Sequence, residues 1–113
     1  MLESIYWECL LMELADIGIP FECDRGVAID YKGRPVRVKL RLDVLVDQRL
    51  VLELKSVEAL LPVHKAQLIT YLKLTGYPAG LLMNFNETTL RAGVRRLDHP
   101  DRYRRLAALR NRQ

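Results

Sequence analysis

A chain of 113 residues can build one sizeable core and not two, and half of its residues are hydrophobic, which excludes wholesale disorder. Its longest apolar runs are strand-sized, such as Leu50-Val51-Leu52, so no segment reads as a membrane span. Met1-Leu2-Glu3-Ser4 has neither the basic start nor the apolar run of a secretory leader, and the expected location is the cytoplasm. The net charge of +4 is compatible with a polyanionic partner without establishing one.

Residues 2–17 carry Ile5, Cys9, Leu10, Leu11, Met12, Leu14 and Ile17 at helical spacing, and Gly18 and Pro20 stop this predicted helix. Residues 21–30 read as a strand and residues 31–35 as a turn. From 36 to 46 the chain alternates, with Val36, Val38, Leu40, Leu42, Val44 and Val46 on one face. Asp47-Gln48-Arg49 reverses the chain, and residues 50–57 form the next strand. Pro62 suits the first turn of a second helix, which runs through Leu68, Ile69 and Leu72 to a stop at Gly76. Residues 79–85 are almost wholly apolar, as in a strand buried on both faces. A weaker third helical stretch follows. The order of helix, three strands, helix and strand predicts an α/β sandwich around a mixed sheet.

Beyond His99-Pro100 a final segment, residues 99–113, reads as an Arg-rich helical tail to a main domain of residues 1–98. From Arg91 onward the chain carries Arg91, Arg95, Arg96, Arg102, Arg104, Arg105, Arg110 and Arg112 against Asp98 and Asp101, its strongest basic stretch. Cys9 and Cys23 form no CxxC pair, and with only His64 and His99 besides there is no zinc-ligand spacing. They are expected to be free and mostly buried.

The chemistry concentrates on the hairpin around Gln48. Side chains alternate along a strand, so Glu53 and Lys55 share a face. A three-residue turn at 47–49 pairs Val46 with Leu50 and sets Asp43 opposite Glu53, two like charges within about 5 Å. A slip of one residue would send them to opposite faces. Something positive must sit between them, and a divalent cation is the natural candidate. An antiparallel hairpin commonly keeps one wet face on which charges need no function. Here the same face carries Leu45, Val51 and Val57, and carboxylates among apolar side chains are costly unless paired or coordinated. On the second helix, His64, Gln67 and Tyr71 are spaced by three and four and share a face. Beside the hairpin this stripe reads as a wall that contacts substrate or orients Lys55; alone, it would merely edge the core. Arg41 shares a strand face with Asp43 and is either a backbone-contacting or a simply exposed arginine.

Asp43, then Glu53-Leu54-Lys55, then Gln67-Leu68-Ile69-Thr70-Tyr71 resembles the D…ExK…QxxxY pattern of RecB-like nucleases in the PD-(D/E)xK superfamily. Leu2-Glu3-Ser4-Ile5-Tyr6, the stretch from residue 51 to 86, Leu60-Leu61-Pro62-Val63-His64 and Leu82-Met83-Asn84-Phe85-Asn86 look more closely like the small GxxExxR proteins, up to about Arg96. The start departs from that pattern: relatives carry a Gly-rich helical approach where this sequence has Met1. The resemblance implies a restriction-endonuclease-like αβββαβ core. It also implies a catalytic set of Asp43, Glu53 and Lys55, and a Mg²⁺ or Mn²⁺ ion held by Asp43, Glu53, the Leu54 backbone carbonyl and Glu3. Gln67 and Tyr71 would be accessory residues. The implied activity is metal-dependent hydrolysis of nucleic-acid phosphodiesters, DNA before RNA. The alternatives are an inactive module of the same fold that binds nucleic acid and an interaction protein that meets an acidic partner. A homodimer is compatible with either.

Overall fold

The computed structural model describes residues 2–37, 39–89, 91–101 and Arg110, without the side chains of Leu2 and Glu3. Helix α1 (Leu2–Asp16) opens the chain. Trp7, Leu10, Leu11 and Leu14, spaced by three and four, form its inward stripe against Val44, Val46, Leu52 and Met83 of the sheet. Ile5, Met12 and Ile17 face outward. Gly18 adopts a φ of 76° just past the helix, the left-handed conformation that a helix stop favours.

Strands β1 (Phe21–Val27) and β4 (Leu40–Val46) pair antiparallel, and between them a small ribbon of β2 (Asp30–Tyr31) and β3 (Arg34–Pro35) projects. Strand β5 (Leu50–Lys55) runs antiparallel to β4. Helix α2 (Pro62–Thr75) crosses over to β6 (Ala79–Asn84), which lies parallel to β5. The sheet order is β1-β4-β5-β6-β7, closed by β7 (Val94–Asp98) antiparallel to β6. On the face opposite α1, Leu68 and Leu72 of α2 pack on Leu42, Leu45, Val51 and Leu82. Both faces of the central strands are therefore covered, which is why β6 has no alternating polar residues.

Helix α2 starts and ends where the sequence signals place it. Pro62 occupies its first turn, and the Gly76 N–H donates to the Leu72 carbonyl at 2.8 Å with Gly76 at φ 85°. His64, at the start of the polar stripe, also serves the helix end. Its Nδ1 accepts a hydrogen bond from the Leu61 N–H at 2.9 Å and so satisfies an orphan donor of the first turn.

Three expectations are corrected. The strand expected from residue 36 starts only at Leu40: Val36 is exposed and donates its N–H to the Ile29 carbonyl at 2.8 Å, prolonging the β2–β3 ribbon instead. Val38 lies outside the described residues. The third helical stretch is not a helix but a single 3-10 turn (Arg91–Gly93) followed by β7. Val94 packs into the core under α1 and Leu97 into the core under α2, opposite faces that only a strand can serve. Pairing with β7 also satisfies the edge of β6 that a helix would have left open. Cys9 and Cys23 are free but exposed rather than buried. Of the segment expected to be an Arg-rich helical tail, residues 102–109 and 111–113 lie outside the described residues. No helix among the described residues is long and apolar enough to cross a membrane.

Candidate metal centre

The β4–β5 turn sets the geometry of the site. Asp47 and Gln48 both adopt positive φ, 51° and 55°, and the Arg49 N–H closes the turn on the Val46 carbonyl at 3.0 Å. The pairs that follow are Val46 with Leu50, Leu45 with Val51 and Val44 with Leu52, the register that sets Asp43 against Glu53. At that next position backbone pairing gives way to side chains. The Leu54 N–H donates to Asp43 Oδ2 at 2.8 Å, and the Asp43 N–H points to Glu53 Oε1 at 3.4 Å. Each carboxylate thus leans across the gap between the strands toward the other strand's backbone.

The cause lies one strand further out. Asp24, which would pair with Asp43, has a φ of 51° and is skipped by the β1–β4 ladder. Strand β4 is turned there, so Leu42 and Leu45, three residues apart, enter the same core. Strict alternation from residue 36 to 46 therefore fails at Asp43. The same turn brings the Asp43 carboxylate within reach of the Leu54 N–H. Asp43, Asp24, Cys23, Leu54 and Trp7 border a cleft of about 390 Å³. A second groove of about 340 Å³ between α1 and the end of β6, bordered by Tyr6, Leu10 and Phe85, contains neither carboxylate.

Glu53 is only 7% exposed. Burial and then the neighbouring Asp43 charge push its carboxyl up to about 7, against weaker opposing effects of the Asp43 N–H and Lys55. The Lys55 ammonium sits 3.5 Å from Gln67 Oε1 on α2, and the Gln67 Nε2 donates to the Tyr71 hydroxyl at 2.9 Å. Burial, and after it the charge of Glu53, also raises the Tyr71 hydroxyl above its ordinary value, so it keeps its proton. The polar stripe on α2 thus meets Lys55 through Gln67. Arg41 is exposed, donates to the Asp24 carbonyl at 2.9 Å and lies 3.6 Å from the Asp24 carboxylate. It braces the turned segment of β1 beside Asp43.

Among the described residues no group of three or more His, Cys, Asp or Glu side chains is arranged to hold a metal ion; the side chain of Glu3 lies outside them. The pair itself suits a hard divalent ion. Mg²⁺ is typically held by one or two carboxylates and keeps several waters. Burial and the neighbouring Asp43 charge that hold the Glu53 carboxyl high are both relieved when a cation meets the carboxylate.

One residue that shapes this geometry has no role of its own among the sequence expectations, where it stands only within the family resemblance. Asn84, fully buried at the end of β6, accepts from the Val57 N–H at 3.1 Å and donates to the Val57 carbonyl at 2.8 Å. Asn86 adds a second donor to that carbonyl at 3.2 Å, and the Phe85 N–H donates to the Lys55 carbonyl at 2.9 Å. Together they fasten the chain on either side of Ser56 and so fix where Lys55 ends. The signal available in sequence was an Asn closing an otherwise apolar strand, a buried amide that demands partners.

Among curated protein sequences none matches the chain. A solved structure that it resembles is the crystal structure of SSO0001, at a TM-score of 0.60 and 21% identity over 97% of this chain. The chain spans 57% of that protein's length, and the likeness is one of fold. The five-strand mixed sheet between helices is the arrangement of a restriction-endonuclease-like core. Residues 1–97 match the family model of the PD-(D/E)XK nuclease superfamily, and the chain belongs to that superfamily.

Proposed function

We propose that the protein is a Mg²⁺- or Mn²⁺-dependent nuclease, and within its superfamily a relative of the small GxxExxR proteins. The observation that carries this reading is the convergence of Asp43 and Glu53 in a largely buried gap, with Lys55 on the same strand as Glu53. Asp43 and Glu53 would hold the ion, with the Leu54 carbonyl and Glu3 as further oxygen donors. The ion, when bound, would supply Lewis-acid contact to a phosphate oxygen and a more acidic water. Glu53 must release its proton for this, which its value of about 7 permits near neutral pH. Lys55, steadied by Gln67, would stabilise charge that develops on the phosphate. Tyr71 retains its proton and can donate to a phosphate oxygen. DNA is the first substrate to test and RNA the second, in a cytoplasmic setting.

The test is cleavage of labelled DNA and RNA with Mg²⁺ or Mn²⁺ by the wild type, Glu53→Ala and Lys55→Ala. Both variants should lose about 10²–10³-fold in rate, the scale of removing one preorganised electrostatic group. Equal rates in all three would overturn the assignment. A second reading is a module of the same fold that binds nucleic acid without cutting it. It predicts binding with no metal-dependent product.

A further inference from the structure

The described surface carries a second cationic feature that the Arg-rich C-terminal stretch overshadows in the sequence. Residues 30–41 contain Lys32, Arg34, Arg37, Lys39 and Arg41 against the single acid Asp30. Residues 30–37, Lys39 and Arg41 are all exposed, apart from Val38, which is not described. Most of the other arginines with carboxylate neighbours are neutralised locally: Arg25 by Glu22, Arg49 by Asp47 and Arg96 by Asp98. Lys32, Arg34, Arg37 and Lys39 have no ion-pair partner among the described residues; Lys32 lies 5.4 Å from the centre of the Tyr31 ring. Four uncompensated cations on one projecting segment repel one another, an arrangement that gains only when a polyanion meets it.

The arm has a defined shape. Asp30 pairs with Pro35 and Tyr31 with Arg34. Lys32 and Gly33 between them both take positive φ, 50° and 78°, the pattern of a tight two-residue hairpin turn. The Val36 N–H on the Ile29 carbonyl ties its base. The arm leaves the sheet beyond the Val27–Leu40 pair, at the start of β4. That is the end at which β5 finishes with Glu53 and Lys55, because the two strands run antiparallel. Lys39 is four residues from Asp43, so its backbone lies at most about 14 Å from that of Asp43.

From this placement we propose that the β2–β3 ribbon, with Arg37 and Lys39, grips the phosphate backbone of the nucleic acid next to the phosphodiester held at the carboxylate pair. The inference rests on the nuclease reading for its substrate, and its test is separable from it because binding is read without turnover. The recognised chemistry is a run of phosphates, which duplex DNA, single-stranded DNA and duplex RNA all offer.

Binding of each of these to the full chain is measured in EDTA by fluorescence anisotropy over a range of KCl concentrations. The comparison is among wild type, Lys32→Gln/Arg34→Gln/Arg37→Gln/Lys39→Gln, and a control, Lys65→Gln/Lys73→Gln on the exposed side of α2. For duplex DNA the arm variant should bind at least about tenfold more weakly. Its plot of log affinity against log salt should be shallower by about 3.6, about 0.9 for each of the four phosphates no longer neutralised. The control should keep the wild-type slope. If the fourfold variant does not fold, Lys32→Gln and Lys39→Gln singly should each remove about one unit of slope. A wild-type slope in the arm variants, or no binding of any of the three ligands by the wild type, overturns the proposal. Arm-dependent binding without cleavage upholds the arm and defeats the hydrolytic reading instead.

Discussion

Glu53 governs how this protein should respond to pH. Its carboxyl is raised from 4.5 to about 7, so the folded chain holds that proton more tightly than the unfolded chain does. The associated stability is present below about pH 4.5 and is lost as pH climbs through about 7. A shift of that size corresponds to roughly 3 kcal/mol. In calorimetric melts without metal, the wild type should lose stability between pH 5 and 8, and Glu53→Gln should remain nearly flat over the same range. Added Mn²⁺ should restore the wild type at pH 8 and do little for the variant, since the ion takes the place of the proton. A wild type whose melting temperature is independent of pH across this window would contradict the burial of the Glu53 carboxyl beside Asp43.

At the scale of elements, two glycines set how closely the layers approach. A Cβ on Gly80 of β6 would stand 2.9 Å from a terminal carbon of Leu68, so α2 rests directly on that backbone. A Cβ on Gly93 would stand 2.2 Å from the Asn84 carbonyl oxygen, a backbone atom that cannot swing aside. Gly93→Ala should therefore be the more damaging. Urea unfolding should show a loss of about 1–3 kcal/mol for Gly80→Ala, the usual range for an overpacked site, and a larger loss for Gly93→Ala. Parity of the two would mean that the turn before β7 yields more readily than its close packing implies. The turn at Asp24 belongs to this scale as well. By breaking the alternation of β4 at Asp43 it brings the acid to Leu54 and leaves Leu42 in the core.

For the molecule as a whole, one sheet carries both cores, with α1 on one face and α2 on the other. Strands β4, β5 and β6 contribute to both, so neither core can dissolve alone. Trp7 is the only tryptophan and packs in the core under α1. Its fluorescence and the far-UV circular dichroism should follow one coincident urea transition, as in a two-state domain. Separate midpoints would show that α1 detaches before the sheet.

Much of this was legible in the chain itself. Gly18, Pro62 and Gly76 bounded the helices, the 47–49 turn set the hairpin register, and that register brought Asp43 opposite Glu53. These are local consequences of backbone conformation and of the twofold repeat of a strand, which depend on neighbours in sequence alone. What only the tertiary structure decided were matters of contact between distant segments. Residues 94–98 became a strand because β6 offered an open edge. His64 was spent on a helix end, Asn84 on Val57, and Asp24 turned β4 by a conformation no composition reveals. Helical and strand preferences differ by little for such short segments, and burial and hydrogen-bond satisfaction outweigh them once the chain is compact.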